Sequence, residues 1–162
     1  TSHYYHDAYP IPCKIYLCEI LKHCSINQFL VVRGVFPLKN ICKYAAKAGN
    51  LEVLKWARRN GCDWDSNVCR VAAKNGHLKV LKWAHRKGYD LGGLICYDAA
   101  ENGHLEVLKW GRSNGCDWNI NICYNAAAYG HLKVLKWARL HGCDWGGFTC
   151  QYAAANGHLE VL

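Results

Sequence analysis

The chain has 162 residues, a formal net charge of +8 and 11 cysteines. It contains no apolar stretch of the length that a membrane-spanning helix needs, and residues 1–14 lack the basic segment and apolar run of a secretory signal. The basic residues form no long run of like charge, so composition alone does not indicate a nucleic-acid-binding tail. The sequence has no methionine and stops within a helical pattern, so we expect it to be a fragment of a longer chain.

The N-terminal part of the chain comprises an extension, residues 1–14, and an apolar segment, residues 15–41. Shifting this segment by the length of one of the repeats that follow it aligns Phe29 with Trp56 and Gly34 with Gly61. This alignment predicts a divergent repeat that caps the array. Alternatively, "IPCKIYLCEIL" and "FLVVRGVF" resemble an F-box, a helical motif that docks a substrate receptor onto a ubiquitin ligase.

From residue 42 onward the sequence repeats itself with a constant period. Evenly spaced cysteines mark the start of each unit, at Cys42, Cys69, Cys96, Cys123 and Cys150. We divide this part of the chain into four complete repeats and the start of a fifth: residues 42–68, 69–95, 96–122, 123–149 and 150–162. A fixed period of this kind predicts a solenoid, in which each unit buries its apolar face only against its neighbours.

Each repeat is predicted to contain two short helices. In the second repeat, Ala72 and Ala73 are good helix formers, and Gly76 ends that helix. Leu78, Leu81 and the residues that follow them have the spacing of an amphipathic helix. Polar and glycine-containing linkers then lead into the next repeat, and we interpret their recurring aspartates as helix caps or turn formers.

The segment "AAKNGHLKVLKWAHRKGYD" resembles the ankyrin repeat, and the pattern recurs in all five units. The resemblance implies an all-α solenoid of stacked helix-turn-helix repeats. Ankyrin units have about 33 residues, and the units here are shorter. The missing residues fall where the family carries a β-hairpin finger, so we expect shortened or absent fingers. The compact style is similar to repeats abundant in large DNA viruses of amoebae and in some protists.

Cysteine, histidine and tryptophan recur at fixed slots, and we interpret them as structural. We expect the cysteines to be reduced thiols in the core of a cytoplasmic protein, with disulfides such as Cys62–Cys69 as the alternative. The recurring histidines, such as His104, lack the short spacing of zinc ligands and should help to fix the turn. The tryptophans should pack between repeats. We identify no catalytic set and expect neither a metal ion nor any other cofactor.

Slots whose residues differ between repeats are free to recognise a partner. In the ankyrin-repeat family the first helices line a concave face, and the variable slots here are similar to the family's contact positions. The resulting protein-binding candidates are Lys43, Tyr44, Lys47, Arg70, Val71, Lys74, Tyr97, Asp98, Glu101, Tyr124, Asn125, Ala128, Gln151 and Tyr152. Tyrosine and arginine are enriched at protein–protein hot spots.

We therefore expect a non-enzymatic module that presents a preformed surface to a protein partner. Three alternatives remain open. The first is a ubiquitin-ligase adaptor that docks through residues 11–36. The second is a structural component of a larger assembly such as a virus particle, located in the virion or the host cytoplasm. The third is binding to nucleic acid or an anionic surface through the net charge, which we do not favour because Asp98 and Glu101 interrupt the row of candidates. No membrane partner is expected.

Overall fold

A computed structural model describes residues 19–26, 28–29, 40–144, 146–158 and 160. The chain divides into two compact units, Thr1–Trp64 and Asp65–Leu162. The extension over residues 1–14 and most of the F-box-like segment lie outside the described residues. None of the helices in the described ranges is long and apolar enough to cross a membrane.

The described residues of the first unit include a helix pair, α1 (Ile41–Ala48) and α2 (Leu51–Arg59), which pack against each other. Gly49 ends α1 in the left-handed conformation, with φ of 73°. The side chain of Asn50 caps α2 by accepting a hydrogen bond from the backbone N–H of Val53, 3.0 Å away. The two helices therefore begin and end where glycine and a capping side chain direct them.

The segment that precedes this pair contributes buried apolar side chains to the same unit. Leu21 and Phe29 are fully buried, and the Phe29 ring packs edge-on against Trp56 with 5.1 Å between centroids. Nδ2 of Asn50 donates hydrogen bonds to the carbonyl oxygens of Leu21 and Cys24, at 2.8 and 3.0 Å. This segment is thus held to the helix pair by both apolar and polar contacts.

The described residues of the second unit form three helix pairs and one further helix. They are α3 (Ser66–Lys74) and α4 (Leu78–Arg86), α5 (Ile95–Glu101) and α6 (Leu105–Ser113), α7 (Ile120–Ala128) and α8 (Leu132–Leu140), and α9 (Gly147–Ala155). No strand occurs among the described residues, including those of the linkers. The predicted all-α fold of helix-turn-helix repeats is therefore confirmed, with no β-finger in the described part of the chain.

Several first helices begin slightly before the cysteine that marks each repeat. Helix α3 starts at Ser66 because the carboxylate of Asp65 accepts the N–H of Val68 at 3.2 Å. Asn119 caps α7 in the same way, by accepting the N–H of Asn121 at 2.9 Å. The capping role considered for the recurring linker aspartates belongs to these two residues, because they directly precede the helices.

The first helices form a row, in which α3 packs on α5, α5 on α7, and α7 on α9. Each of α3, α5 and α7 also packs on the second helix of its own repeat. Paired alanines in the first helices, such as Ala99 and Ala100, are fully buried, and their small size lets the helices approach closely. Val107 and Leu108 of α6 are buried in the same core. Within the second unit, the apolar residues of neighbouring repeats thus cover one another.

The recurring histidine joins one repeat to the repeat before it. Nε2 of His104 lies 2.9 Å from the carbonyl oxygen of Lys74, at the end of α3. His131 makes the equivalent contact with the carbonyl oxygen of Glu101, also at 2.9 Å. Because helix C-termini leave carbonyl oxygens unpaired, these histidines satisfy an acceptor and set the position of one repeat on the next.

The cysteines pair within repeats rather than across linkers. Cys96 and Cys116 form a disulfide, so the expectation that all core cysteines are reduced thiols was wrong for this pair. The alternative pairing of Cys62 with Cys69 was also wrong, since Cys62 faces Cys42 and both are thiols. Cys96 and Cys116 are 20 residues apart, one at the start of a first helix and the other in the turn after the second helix of the same repeat. The cytoplasmic location rested partly on reduced thiols and stays a prediction.

Cys69 should make folding sensitive to alkaline pH. Burial raises the pKa of its thiol from 9.0 to about 12, with Asp90 and Asp65 adding to the shift. Because the folded-state pKa lies above the unfolded one, this contribution to stability is complete below pH 9 and is lost as the pH rises toward 12. At pH 10 the wild type should have lost roughly 1 kcal/mol through this group, a loss that Cys69→Ala should not show.

The measurement is urea unfolding at several pH values with a phosphine reductant present, so that disulfide exchange does not interfere. Parallel stability curves for wild type and Cys69→Ala between pH 8 and 11 would contradict this assignment.

Candidate protein-interaction surface

The candidate residues lie on the first helices, and the structure exposes them to different degrees. In the first unit, Lys43 and Lys47 of α1 are exposed and Tyr44 is half-buried. In the second unit, exposed positions are Lys74, Gln151 and Tyr152, and half-buried positions are Arg70, Val71, Tyr97, Glu101, Tyr124 and Ala128. Asp98 and Asn125 are buried. Most of the predicted set is therefore reachable from solvent, and two members are not.

Asp98 is enclosed by cations of the preceding repeat. Its carboxylate is 0% exposed, and it accepts two hydrogen bonds from the Arg70 guanidinium, from Nε at 2.9 Å and from Nη2 at 3.3 Å. Nζ of Lys74 lies 3.6 Å from Oδ1 of the same carboxylate. A bidentate pair of this kind fixes the guanidinium plane, and the hydrogen bond to Asp98 raises the pKa of Arg70. Asp98 therefore positions Arg70, whose side chain stays 32% exposed.

Tyrosines gather on the following repeats. The rings of Tyr124 and Tyr152 meet edge-on with 4.5 Å between centroids. A hydrogen bond with Tyr152 raises the pKa of Tyr124 above its ordinary value, and Tyr97 and Tyr129 lie close enough to add to the shift. The structure thus brings Tyr124 of α7 and Tyr152 of α9 into direct contact.

Asn125 occupies the slot that Asp98 fills one repeat earlier. It is 2% exposed, and its Nδ2 has no hydrogen-bond partner. The preceding repeat presents Tyr97 at the position that corresponds to Arg70. The change from a carboxylate to a neutral amide at this slot is thus matched by a change in the residue opposite, from arginine to tyrosine.

We call the solvent-facing part of the row of first helices the first-helix face and define it by six residues: Arg70, Lys74, Tyr97, Glu101, Tyr124 and Tyr152. One end carries the two cations around the buried Asp98 carboxylate, and the other end carries the tyrosines. Glu101 lies between the ends, half-buried at the C-terminus of α5. The first-helix face therefore offers tyrosine rings for packing, tyrosine hydroxyls for hydrogen bonds and the Arg70 guanidinium, which Asp98 holds in place.

Sequence reasoning placed Asp98 on the surface, although a signal for its partner was present. Among the variable slots of the first helices, Asp98 is preceded by Arg70 at a distance of 28 residues, one repeat and one position away. Arg70 in one repeat and Asp98 at the next slot of the following repeat are oppositely charged, and the other consecutive repeats do not combine opposite charges at these slots. Such a coincidence indicates an ion pair between the two repeats. A comparison of each slot with the next slot of the following repeat would have predicted the ion pair.

The described residues do not bring together any group of three or more histidine, cysteine, aspartate and glutamate side chains that could hold a metal ion. The expectation that the protein uses no cofactor stays a prediction. The first-helix face offers cations, phenols and a carboxylate to solvent.

The fold and this surface define a helical repeat protein built from stacked helix pairs. The family model for ankyrin repeats (many copies) matches residues 42–85, which include α1, α2, α3 and nearly all of α4. Ankyrin repeats are generally protein–protein interaction modules and are typically non-enzymatic. No curated protein is significantly similar to the chain.

Proposed function

We propose that the protein is a non-enzymatic binding module whose first-helix face holds a protein partner. The observation that carries this proposal is that the side chains that differ between repeats are anchored by contacts between repeats and still reach solvent. Arg70 is held by Asp98, and Tyr124 is held by Tyr152. Arginine and tyrosine are residue types that dominate binding energy at protein interfaces.

Anchoring matters because a partner would bind side chains that are already ordered. Immobilising a flexible side chain on binding costs roughly 0.5–1.5 kcal/mol. The guanidinium of Arg70 and the ring of Tyr124 have lost much of this freedom in the unbound protein. The mechanism is therefore presentation of a preformed surface on packed helices.

An affinity capture with matched variants tests the proposal. The face variant carries Tyr97→Ala, Tyr124→Ala and Tyr152→Ala, and it leaves Arg70 in place because that residue compensates a buried charge. The control variant carries Lys79→Ala, Lys82→Ala and Lys133→Ala, three exposed residues of the second helices. Extracts are treated with nuclease, and circular dichroism checks that both variants fold.

We expect to capture a protein that binds the wild type and the control variant with equal affinity. Its affinity for the face variant should be at least tenfold lower, since each removed tyrosine typically contributes about 1 kcal/mol or more. The same protein must then bind purified wild type in isolation. Equal retention by all three forms would refute the first-helix face as the binding surface.

Residues 15–41 are proposed to form a divergent repeat rather than an F-box-like dock. The edge-on contact of Phe29 with Trp56 supports this, because the two residues occupy the same slot in consecutive repeats. The bonds from Asn50 to Leu21 and Cys24 support it too, since they correspond to the histidine contacts of later repeats. The absence of strands in the described linkers is in keeping with the short-repeat variety found in large DNA viruses of amoebae and in some protists.

A further inference from the structure

Three repeats carry the same pair of cysteines. The first member begins the first helix, and the second follows the second helix: Cys42 with Cys62, Cys96 with Cys116, and Cys123 with Cys143. The backbone N–H of the first cysteine points at the sulfur of the second, at 3.2 Å for Cys42 and 3.1 Å for Cys96. The backbones of these two pairs are thus arranged alike, yet only Cys96 and Cys116 are joined among the described cysteines.

One residue beside this pair differs between the third repeat and the other repeats. Gly111 lies in the last turn of α6, at a slot that holds Ala57, Ala84 and Ala138 in the other repeats. A Cβ atom added to Gly111 would lie 2.7 Å from the sulfur of Cys96, closer than carbon and sulfur can approach. Glycine is a poor helix former, and here it leaves the space that the Cys96 sulfur occupies in the disulfide.

The third repeat also opens its cysteine pair to solvent. A cleft of about 180 Å³ lies beside the disulfide, lined by Gly92, Gly93, Gly111, Cys116 and other residues of this repeat and its linkers. Cys116 is half-buried, whereas its counterparts Cys62 and Cys143 are 1% and 2% exposed. Cys96 is fully buried. A reagent that enters the cleft therefore reaches the sulfur of Cys116 more directly than the other sulfurs of the three pairs.

We propose that Cys96–Cys116 is a reversible thiol–disulfide exchange site, entered through this cleft at Cys116, and that the alanines of the other two repeats keep their pairs as dithiols. The reactants are small thiols and their disulfides. The site is distinct from the first-helix face, because it lies at the linker end of the helix pair.

The reaction balances without any further reagent. A thiolate attacks the sulfur of Cys116, the bond to Cys96 breaks, and Cys96 leaves as a thiolate that takes a proton from water. A second thiolate attacks the external sulfur of the mixed disulfide and releases Cys116 as a thiolate, which is also protonated. Two thiols have been oxidised to one disulfide, and the protein disulfide has been reduced to a dithiol by two electrons. The reverse sequence re-forms the bond from a small disulfide.

The charge of the cleft gives the site a preference among thiols. The charged residues that line it are Asp90 and Asp117, both exposed and both acidic. They repel an anionic thiol and attract a cationic one, and the effect weakens as salt screens the charges. Cationic thiols should therefore react faster than anionic thiols of similar intrinsic reactivity.

The proposal is tested on the whole chain in buffers of defined thiol and disulfide concentration. Free thiols are alkylated in denaturant with one isotopic label and released thiols with a second, and mass spectrometry gives the oxidised fraction of each cysteine. We expect Cys96 and Cys116 to be oxidised in buffers where Cys42, Cys62, Cys123 and Cys143 remain reduced. Equal oxidation of the three pairs would overturn the proposal.

Reciprocal variants test the role of the glycine. Gly111→Ala should lower the equilibrium constant for forming Cys96–Cys116 about tenfold or more, a change of roughly 30 mV in reduction potential. Ala138→Gly should raise that of Cys123–Cys143 by a similar factor, and it keeps the test informative if Gly111→Ala folds poorly. Unchanged constants in either folded variant would refute the mechanism.

A second measurement tests entry through the cleft. The wild-type disulfide is reduced with cysteamine or with mercaptoacetate, and each rate is divided by that thiol's rate with a small linear disulfide. We expect a normalised ratio several-fold in favour of cysteamine, falling toward unity in Asp90→Asn/Asp117→Asn. A ratio of unity in the wild type would place the attack elsewhere.

Discussion

Replacing Arg70 by methionine should lower the free energy of unfolding by about 3 kcal/mol, because the change leaves a buried carboxylate without its main partner. Asp98 is 0% exposed and takes both of its shortest ion-pair contacts from the guanidinium. Lys74 remains at 3.6 Å but is 41% exposed, so it compensates the charge only in part. Methionine retains much of the apolar stem, so lost packing contributes little.

The same change in an Asp98→Asn background provides the control, because it removes the charge that needs compensation. Arg70→Met should then cost less than about 1 kcal/mol. Asn125 demonstrates that a neutral amide is accommodated at the equivalent slot of the next repeat. Urea unfolding of the four proteins in this cycle measures the coupling. Equal costs of Arg70→Met in the two backgrounds would contradict the assigned role of the ion pair.

Gly103→Ala should also lower the free energy of unfolding, by about 2 kcal/mol, through a conformational cost and a steric one. The φ angle of Gly103 is 76°, a left-handed conformation that costs an L residue with a side chain about 1–2 kcal/mol. The added Cβ would lie 2.7 Å from Nδ1 of His131. The imidazole must then move, and its hydrogen bond to the carbonyl oxygen of Glu101 is weakened or lost, which costs about 1 kcal/mol more.

Gly115→Ala is the matched control, because its φ angle is 79° and its added Cβ would meet no atom within 4 Å. It carries the conformational cost alone, so we expect a loss of about 1 kcal/mol. Chemical denaturation of both variants gives the comparison. If the two substitutions cost the same, the contact between Gly103 and His131 does not determine how the repeats are joined.

The positions of the helices were predictable because the features that specify them are local. A helix needs a favourable run of residues, an apolar stripe at helical spacing and a terminating residue, and each complete repeat shows all three. Gly76 and Gly103 end first helices as expected, with φ of 73° and 76°. Repetition strengthened the prediction, since the same local pattern occurs several times along the chain.

Most of the candidate residues are at least partly exposed, and two are buried. Variable slots of the first helices do carry Tyr97, Tyr124 and Tyr152, which are at least partly exposed. The same slots also carry Asp98 and Asn125, which are buried. Whether a given side chain in this row points outward depends on the residue opposite it in the neighbouring repeat, and the Arg70 guanidinium compensates the buried charge of Asp98.

The repeat, its two helices and the residue types at the variable slots follow from the sequence, because they depend on residues close together in the chain. Which cysteines meet, which carboxylate is buried and how one repeat is joined to the next became visible only in the folded protein. Those outcomes depend on small distances between residues that are far apart in the chain, such as the space that Gly111 leaves for the Cys96 sulfur or the contact of His131 with Glu101.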